Sequence, residues 1–299
     1  APREPLEELR RAARSLLNKA CPENMPAITE KLSVLPVSRG EELQQVVGLV
    51  FQKAVSEPHY CQTYADLILA LRSAYPKFPA TDGGRPITFR SSLIDVCQEE
   101  FEALPVTLKP PQEAGEERDA EELELCRGKR KCRMLANMRL IGHLFLRQLL
   151  PAKVIVHVLE ELIFRSREES KVPMEHAVEC ACELLAATGH AIEALAEGKR
   201  VVVRACGRLR ELKDSQTAQG RHIYSKRMQF VIQDLLDVRS AGWTQRSFRD
   251  SAKTKEEVQL EQRRDLDQRL AGGVKSWPDD RTPAAGQRRQ LRYSTIIGA

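Results

Sequence analysis

His176, Cys180 and Cys182 are the residues of this sequence whose types come nearest to a metal site. His176 and Cys180, four positions apart, share one face of a helix. Cys182 lies about 200° around the axis from Cys180, so a zinc site would need further ligands from elsewhere. The expectation is packing thiols and no metal. Cys126 and Cys132 bracket the run Arg-Gly-Lys-Arg-Lys. Flanking cations lower a thiol pKa, the chemistry of a redox cysteine. The same cations, Arg127, Lys129, Arg130 and Lys131, suit RNA phosphates, or else form a solvated helix face or a nuclear signal. His59, His143, His157, His190 and His222 have no nucleophile at a motif spacing. A Gly-rich phosphate loop, a dinucleotide fingerprint, G-x-S-x-G and H-E-x-x-H are all missing. The chain is therefore read as non-catalytic and without a cofactor.

The elements that would carry these residues are helices. Leu43, Val46, Val47, Val50 and Ala54 recur at helical spacing, as do Met138, Ile141, Leu144, Phe145 and Leu149. Ser38, with Glu41 three residues on, reads as a capping box. Prolines fall at the edges of the runs, where a missing N–H costs little. The spacing predicts ten helices, near 4–20, 24–35, 40–56, 60–75, 87–103, 118–149 (with a break near Gly128), 151–166, 173–188, 198–213 and 217–239. The Pro- and Glu-rich stretch 105–120 reads as a loop. Paired off, the helices make an all-α solenoid of about five HEAT-type hairpins.

Composition agrees. Of 299 residues, 42% are hydrophobic and only 5% aromatic, which suits Leu/Ala/Val helix packing better than a sandwich or barrel. No apolar run approaches the roughly 18 residues of a membrane span, and no secretory signal opens the chain, which begins at Ala1 as an excised fragment would. The eight scattered cysteines read as reduced thiols of a cytosolic or nuclear protein. Most of the +5 net charge sits after residue 240. The expected division is a HEAT-repeat domain over 1–250 and a polar, mostly disordered tail over 251–299.

Three stretches say more. "LLNKACPENM" (16–25) is followed by "VFQKAVSEPHYCQTYADL" (50–67). "CQEEFEAL" (97–104) precedes "RMLANMRLIGHLFLRQLL" (133–150). "RMQFVIQDLLDVRSAGW" (227–243) precedes "KTKEEVQLE" (253–261). In this order and spacing, the chain resembles the middle domain of the eukaryotic translation initiation factor 4-gamma family over roughly 8–265. The resemblance implies five HEAT hairpins and a cytoplasmic scaffold without catalytic activity. It implies binding and stimulation of the DEAD-box helicase initiation factor 4A at two places, with some contact to mRNA. It assigns Arg14, Leu17, Ala20 and Met25 to an amino-terminal helicase contact, and Phe230, Val238 and Trp243 to a carboxy-terminal one.

This chain departs from the family in having Ala20 for the usual Leu and Met25 for a large aromatic, both of which shrink an apolar anchor. From periodicity alone, Leu17 and Phe230 read equally as core, and Trp243 as folding back on its own helix. The family's docking motif for the cap-binding protein is matched formally by Tyr64, Leu69 and Ala70. These sit in an expected core helix, so that partner is expected to bind outside this chain. The alternatives are a related helical-repeat protein of nuclear cap binding, splicing or mRNA decay, and a direct RNA-binding protein using Arg127 to Arg133, Arg204, Arg208, Arg210 and the tail. Counting thiols in the unfolded, unreduced protein should find all eight cysteines free; fewer, or stoichiometric zinc, would overturn the packing assignment.

Overall fold

The computed structural model describes residues 5–79, 85–108, 120–164, 172–217, 219–243 and single positions between 256 and 263. The chain divides into two units, Ala1–Thr254 and Lys255–Ala299. Nearly all described residues belong to the first, so the expected tail over 251–299 falls mostly outside them; of the expected loop over 105–120, residues 109–119 lie outside, whereas 105–108 continue α5 beyond its expected end at 103 and Ala120 opens α6. The first unit is built from α1 (Pro5–Leu17), α2 (Met25–Ser33), α3 (Gly40–Ser56), α4 (Cys61–Leu71), α5 (Phe89–Leu108), α6 (Ala120–Leu146), α7 (Ala152–Ile163), α8 (Glu175–Glu193), α9 (Ala196–Asp214) and α10 (Lys226–Ser240). Two isolated bridges, Phe78 with Ile87 and Gln216 with His222, are the extended pairings among the described residues.

Five antiparallel hairpins follow, and they stack. The even helices form one continuous layer, α2 on α4, α4 on α6, α6 on α8 and α8 on α10. The odd helices form the other layer, α1 on α3, α3 on α5 and α7 on α9. Among the described residues the backbones of α5 and α7 do not approach closely. The two halves are therefore joined through the even layer and α6, which reaches α3, α4, α5, α7 and α8. The interface of α6 with α8 is close: a Cβ on Gly142 would lie 3.0 Å from that of Ala187. Met138, Ile141 and Leu144 of α6 and Leu184 and Leu185 of α8 are all buried there, each such side chain contributing about 1.5–3 kcal/mol.

Helix ends follow local chemistry, with departures from expectation that include α8 running on to Glu193 rather than 188. The capping carboxylate of α3 is Glu42, not Glu41: its Oε2 accepts the N–H of Ser38 at 2.7 Å and of Arg39 at 3.2 Å. The helix starts one residue later than the Ser38 pattern implies, so the acceptor moves by one as well. Next, α6 runs unbroken through Gly128. A single exposed glycine costs only about 1 kcal/mol, less than the packing farther along the helix supplies. Finally, α10 starts at Lys226 rather than 217. Ahead of it Gly220 takes φ +76° and Thr217 N–H donates to the Arg221 carbonyl at 2.8 Å. Ser225 Oγ then caps the helix by accepting from Met228 N–H.

One ionic cluster ties three even helices together. Glu179 of α8 is 8% exposed, and its carboxylate meets Lys131 of α6 and Arg227 of α10, both at 2.8 Å. Burial disfavours its charge, but the two cations outweigh that and hold the carboxyl below its ordinary 4.5. Because the folded value is depressed, the stabilisation is complete above about pH 4.5 and disappears as pH falls through the folded value. Glu179→Gln should therefore cost about 2 kcal/mol near neutrality, or about 5 °C in Tm. The difference from wild type should shrink in melts recorded below pH 4; an equal difference at pH 3 and pH 7 would refute the ionic origin.

Candidate binding surfaces

The amino-terminal group does not lie together on the surface. Leu9, Ala13 and Leu17 form the buried stripe of α1, and Leu17 is only 2% exposed. Met25 opens α2 and is 7% exposed. Both side chains belong to the core, as periodicity allowed for Leu17. Ala20 is half-buried against that core, in the corner between the helices. Asn24 fixes the corner by accepting from Cys21 N–H and donating to the Lys19 carbonyl. Of the four residues, Arg14 alone is exposed.

At the other end the arrangement is reversed. Phe230 lies on the outward face of α10 and is 67% exposed. Val238 and Trp243 are half-buried and lie together, since Trp243 N–H donates to the Val238 carbonyl at 2.8 Å. Gly242 and Trp243 both have left-handed backbone, φ 71° and 62°, so the chain reverses after α10. A left-handed conformation costs a non-glycine residue about 1–2 kcal/mol, and the indole's contacts offset it. The ring does not fold onto its own helix. It lies on Gly189 of α8, where a Cβ would come within 2.1 Å of Cη2. Its Nε1–H donates to Glu193 Oε2 at 2.6 Å, and Arg239 holds the other oxygen at 2.7 Å. Arg239 first, then the indole, keep the Glu193 carboxyl below its usual range against the effect of burial. Gly189 and Glu193 were not picked out from sequence. The available signal was a glycine inside a strongly apolar helix, which often marks a close approach.

The basic run is largely committed. Lys131 is paired to Glu179, and Arg133 to Glu100 at 2.8 Å; Arg130 is engaged as well. Lys129 is exposed, and the Arg127 side chain falls outside the described residues. Cys132 is exposed, and Cys126 also lies outside. Charges on α9 divide differently. Arg204 pairs with Glu160 and sits 4.5 Å over the Phe164 ring, and Arg208 pairs with Glu211. Lys199, Arg200 and Arg210 are exposed, with no ion pair to a described residue.

Cys180 and Cys182 are 1% and 3% exposed. Burial pushes the Cys180 thiol up to about 12 and Cys182 higher still, which suits packing rather than ligation or nucleophilic attack. Burial also lowers the His176 pKa. Among the described residues no three His, Cys, Asp or Glu side chains are grouped to hold a metal ion. None of the described helices is long and apolar enough to cross a membrane. Tyr64, the first residue of the formal docking motif, is 1% exposed and donates to Glu57 at 2.6 Å.

Against known proteins, the family model of the MIF4G domain matches residues 10–241. The chain is 28% identical over 295 residues to eukaryotic translation initiation factor 4G of Arabidopsis thaliana, covering 96% of this chain and 16% of that protein. It is 30% identical over 270 residues to eukaryotic translation initiation factor 4 gamma 1 of Mus musculus, covering 85% of this chain and again 16% of the relative. It thus spans about a sixth of the length of these proteins. A solved MIF4G domain of Trypanosoma cruzi translation initiation factor EIF4G5 superposes with TM-score 0.49 at 24% identity, covering 79% of this chain and 97% of that one. With the family model running from the middle of α1 to the end of α10, the chain belongs to the MIF4G domain family.

Proposed function

We propose that this domain is a non-catalytic, cytoplasmic scaffold of translation initiation that binds a DEAD-box helicase of the initiation factor 4A type at both ends of its helical array. Family membership supports the scaffold. The relatives named above are translation initiation factors, which favours that role over nuclear cap binding, splicing or mRNA decay. The observation that carries the second contact is Phe230, a large aromatic left 67% exposed on the end helix. Such a side chain is a natural interface anchor. At the first contact Arg14 offers a cation, while Leu17 and Met25 shape the end from within. Val238 and Trp243 act similarly at the far end of α10, setting where that helix ends.

The mechanism is conformational. A helicase with two lobes samples open and closed arrangements, and a scaffold that grips both lobes favours the arrangement it binds best, only by its differential affinity. ATP chemistry stays in the helicase. The cap-binding protein would be held by a region outside this chain, since the formal motif's Tyr64 is core. Contact with mRNA is assigned to Lys129 and to Lys199, Arg200 and Arg210, exposed cations with no ion pair to a described residue. The earlier candidates Arg130 and Lys131 contribute less because their charges are already engaged.

Phe230→Ala should weaken helicase binding about thirtyfold, some 2 kcal/mol, with an unchanged melt because the ring is mostly in water. Unaltered binding would remove this contact from the proposal. Leu17→Ala should behave differently and lose about 2–5 kcal/mol of stability. In a Trp277→Phe background, Gly189→Ala should displace the indole of Trp243 and red-shift its fluorescence. For RNA, replacing Lys199, Arg200 and Arg210 by Gln should reduce the slope of log affinity against log salt by about 2; an unchanged slope would put the contact elsewhere.

A further inference from the structure

A polar groove crosses the odd layer between α1 and α5, with α3 as its floor. It encloses about 280 Å³. Along the floor run Gln44, Gly48 and Gln52, one helical turn apart. Gly48 leaves the middle open, since a Cβ there would meet nothing within 4 Å. One wall carries Arg10 and Arg14 of α1; the other carries Asp95 and Glu99 of α5. Ser92 also lines the groove, and it is fully buried with its hydroxyl unpartnered. The Arg10 Nε is likewise buried without a partner.

Arg10 is partly engaged, its Nη1 pairing with Glu7 at 2.8 Å, but the other charges are not. Asp95 and Glu99 have no ion pair to a described residue, nor has Arg14. Like charges at i and i+4 on a helix repel and destabilise it, so this pair stands as an uncompensated local cost. A buried hydroxyl without a partner adds another. Both costs are relieved by a ligand that brings cations and a hydrogen-bonding group to the α5 wall.

The spacing identifies the ligand's shape. Residues four apart on a helix are displaced by about 6 Å along its axis. Alternate side chains of an extended peptide on one side are about 6.7 Å apart, and the intervening ones point the opposite way. A strand lying along the floor would thus present every second residue to Asp95 and Glu99 and the others to Arg14. The Gln44 and Gln52 carboxamides each offer donors and an acceptor to its peptide groups. A nucleic-acid strand fits less well, because the acidic wall repels phosphate.

We propose that this groove binds an extended peptide segment in which basic and acidic residues alternate, the basic side chains on the α5 wall and the acidic ones towards Arg14. The test uses two fluorescein-labelled hexapeptides of identical composition, Arg-Glu-Arg-Glu-Arg-Glu and Arg-Arg-Arg-Glu-Glu-Glu, with fluorescence anisotropy at low salt. The alternating peptide should bind about tenfold more tightly. The double variant Asp95→Asn/Glu99→Gln should abolish that preference, as should Gly48→Phe, which fills the floor while leaving every charge in place. Both variants should melt at or slightly above wild type, the first because it removes the repulsion between Asp95 and Glu99 and the second because it replaces a glycine within a helix at a position where a Cβ meets nothing. Helicase stimulation, read in parallel, should be unaffected by Asp95→Asn/Glu99→Gln. Equal affinity for the two peptides would overturn the proposal. So would a preference that survives Gly48→Phe, or a uridine decamer that binds this face in competition with the peptide.

Discussion

The array depends on the contact between α6 and α8. Among the described residues the backbones of α5 and α7 do not approach closely, and a cleft separates them, so the first three hairpins are joined to the last two mainly across this even-layer interface. Its closeness rests on small groups: Gly142 faces Ala187 and Thr188, with no room to spare for a Cβ. Tight approach increases the number of van der Waals contacts each buried Leu and Met makes. Glu179 then adds charge pairing across the same layer, reaching α6 on one side and α10 on the other. A stacked array is only as cooperative as its neighbour interfaces, and this one carries the coupling between the halves.

Because every helix spends one face on its neighbours, little is left to display. At the first hairpin Leu17 and Met25 are consumed by packing, and of the four expected contact residues Arg14 is the one that reaches solvent. On α10, the last helix of the described array, one face has no neighbour, and Phe230 remains there. The indole of Trp243 lies between these cases. It serves the fold by seating on Gly189 and tying Glu193, and so determines where the chain leaves α10.

Charge shows the same division. The run Arg127 to Arg133 is the densest basic stretch of the array, yet Lys131 and Arg133 are held by carboxylates from α8 and α5. The exposed cations of α9 with no ion pair to a described residue are less conspicuous in the sequence. Local charge density records what the chain carries, whereas availability depends on what the neighbouring helices place opposite. The acidic pair Asp95 and Glu99, unremarked in sequence, gains its interest only from the groove it lines.

Residue periodicity determined the ten helices of this protein, their order and their pairing into hairpins. Apolar stripes such as Leu43, Val46, Val47 and Val50 respond to the 3.6-residue repeat alone, and proline fixes many of the edges. Short-range motifs in register also revealed the family. Details that need a partner distant in sequence were beyond that reading. Among them are the seat of Trp243 on α8, 50-odd positions earlier, the sharing of Glu179 between α6 and α10, and the cleft between α5 and α7. The same holds for Leu17 and Phe230. Each is an apolar residue on an amphipathic helix, and neither sequence neighbourhood says which is covered. Tertiary packing decided it, because burial is a property of what the next hairpin brings against a face, and α1 received a covering helix on that face where α10 did not.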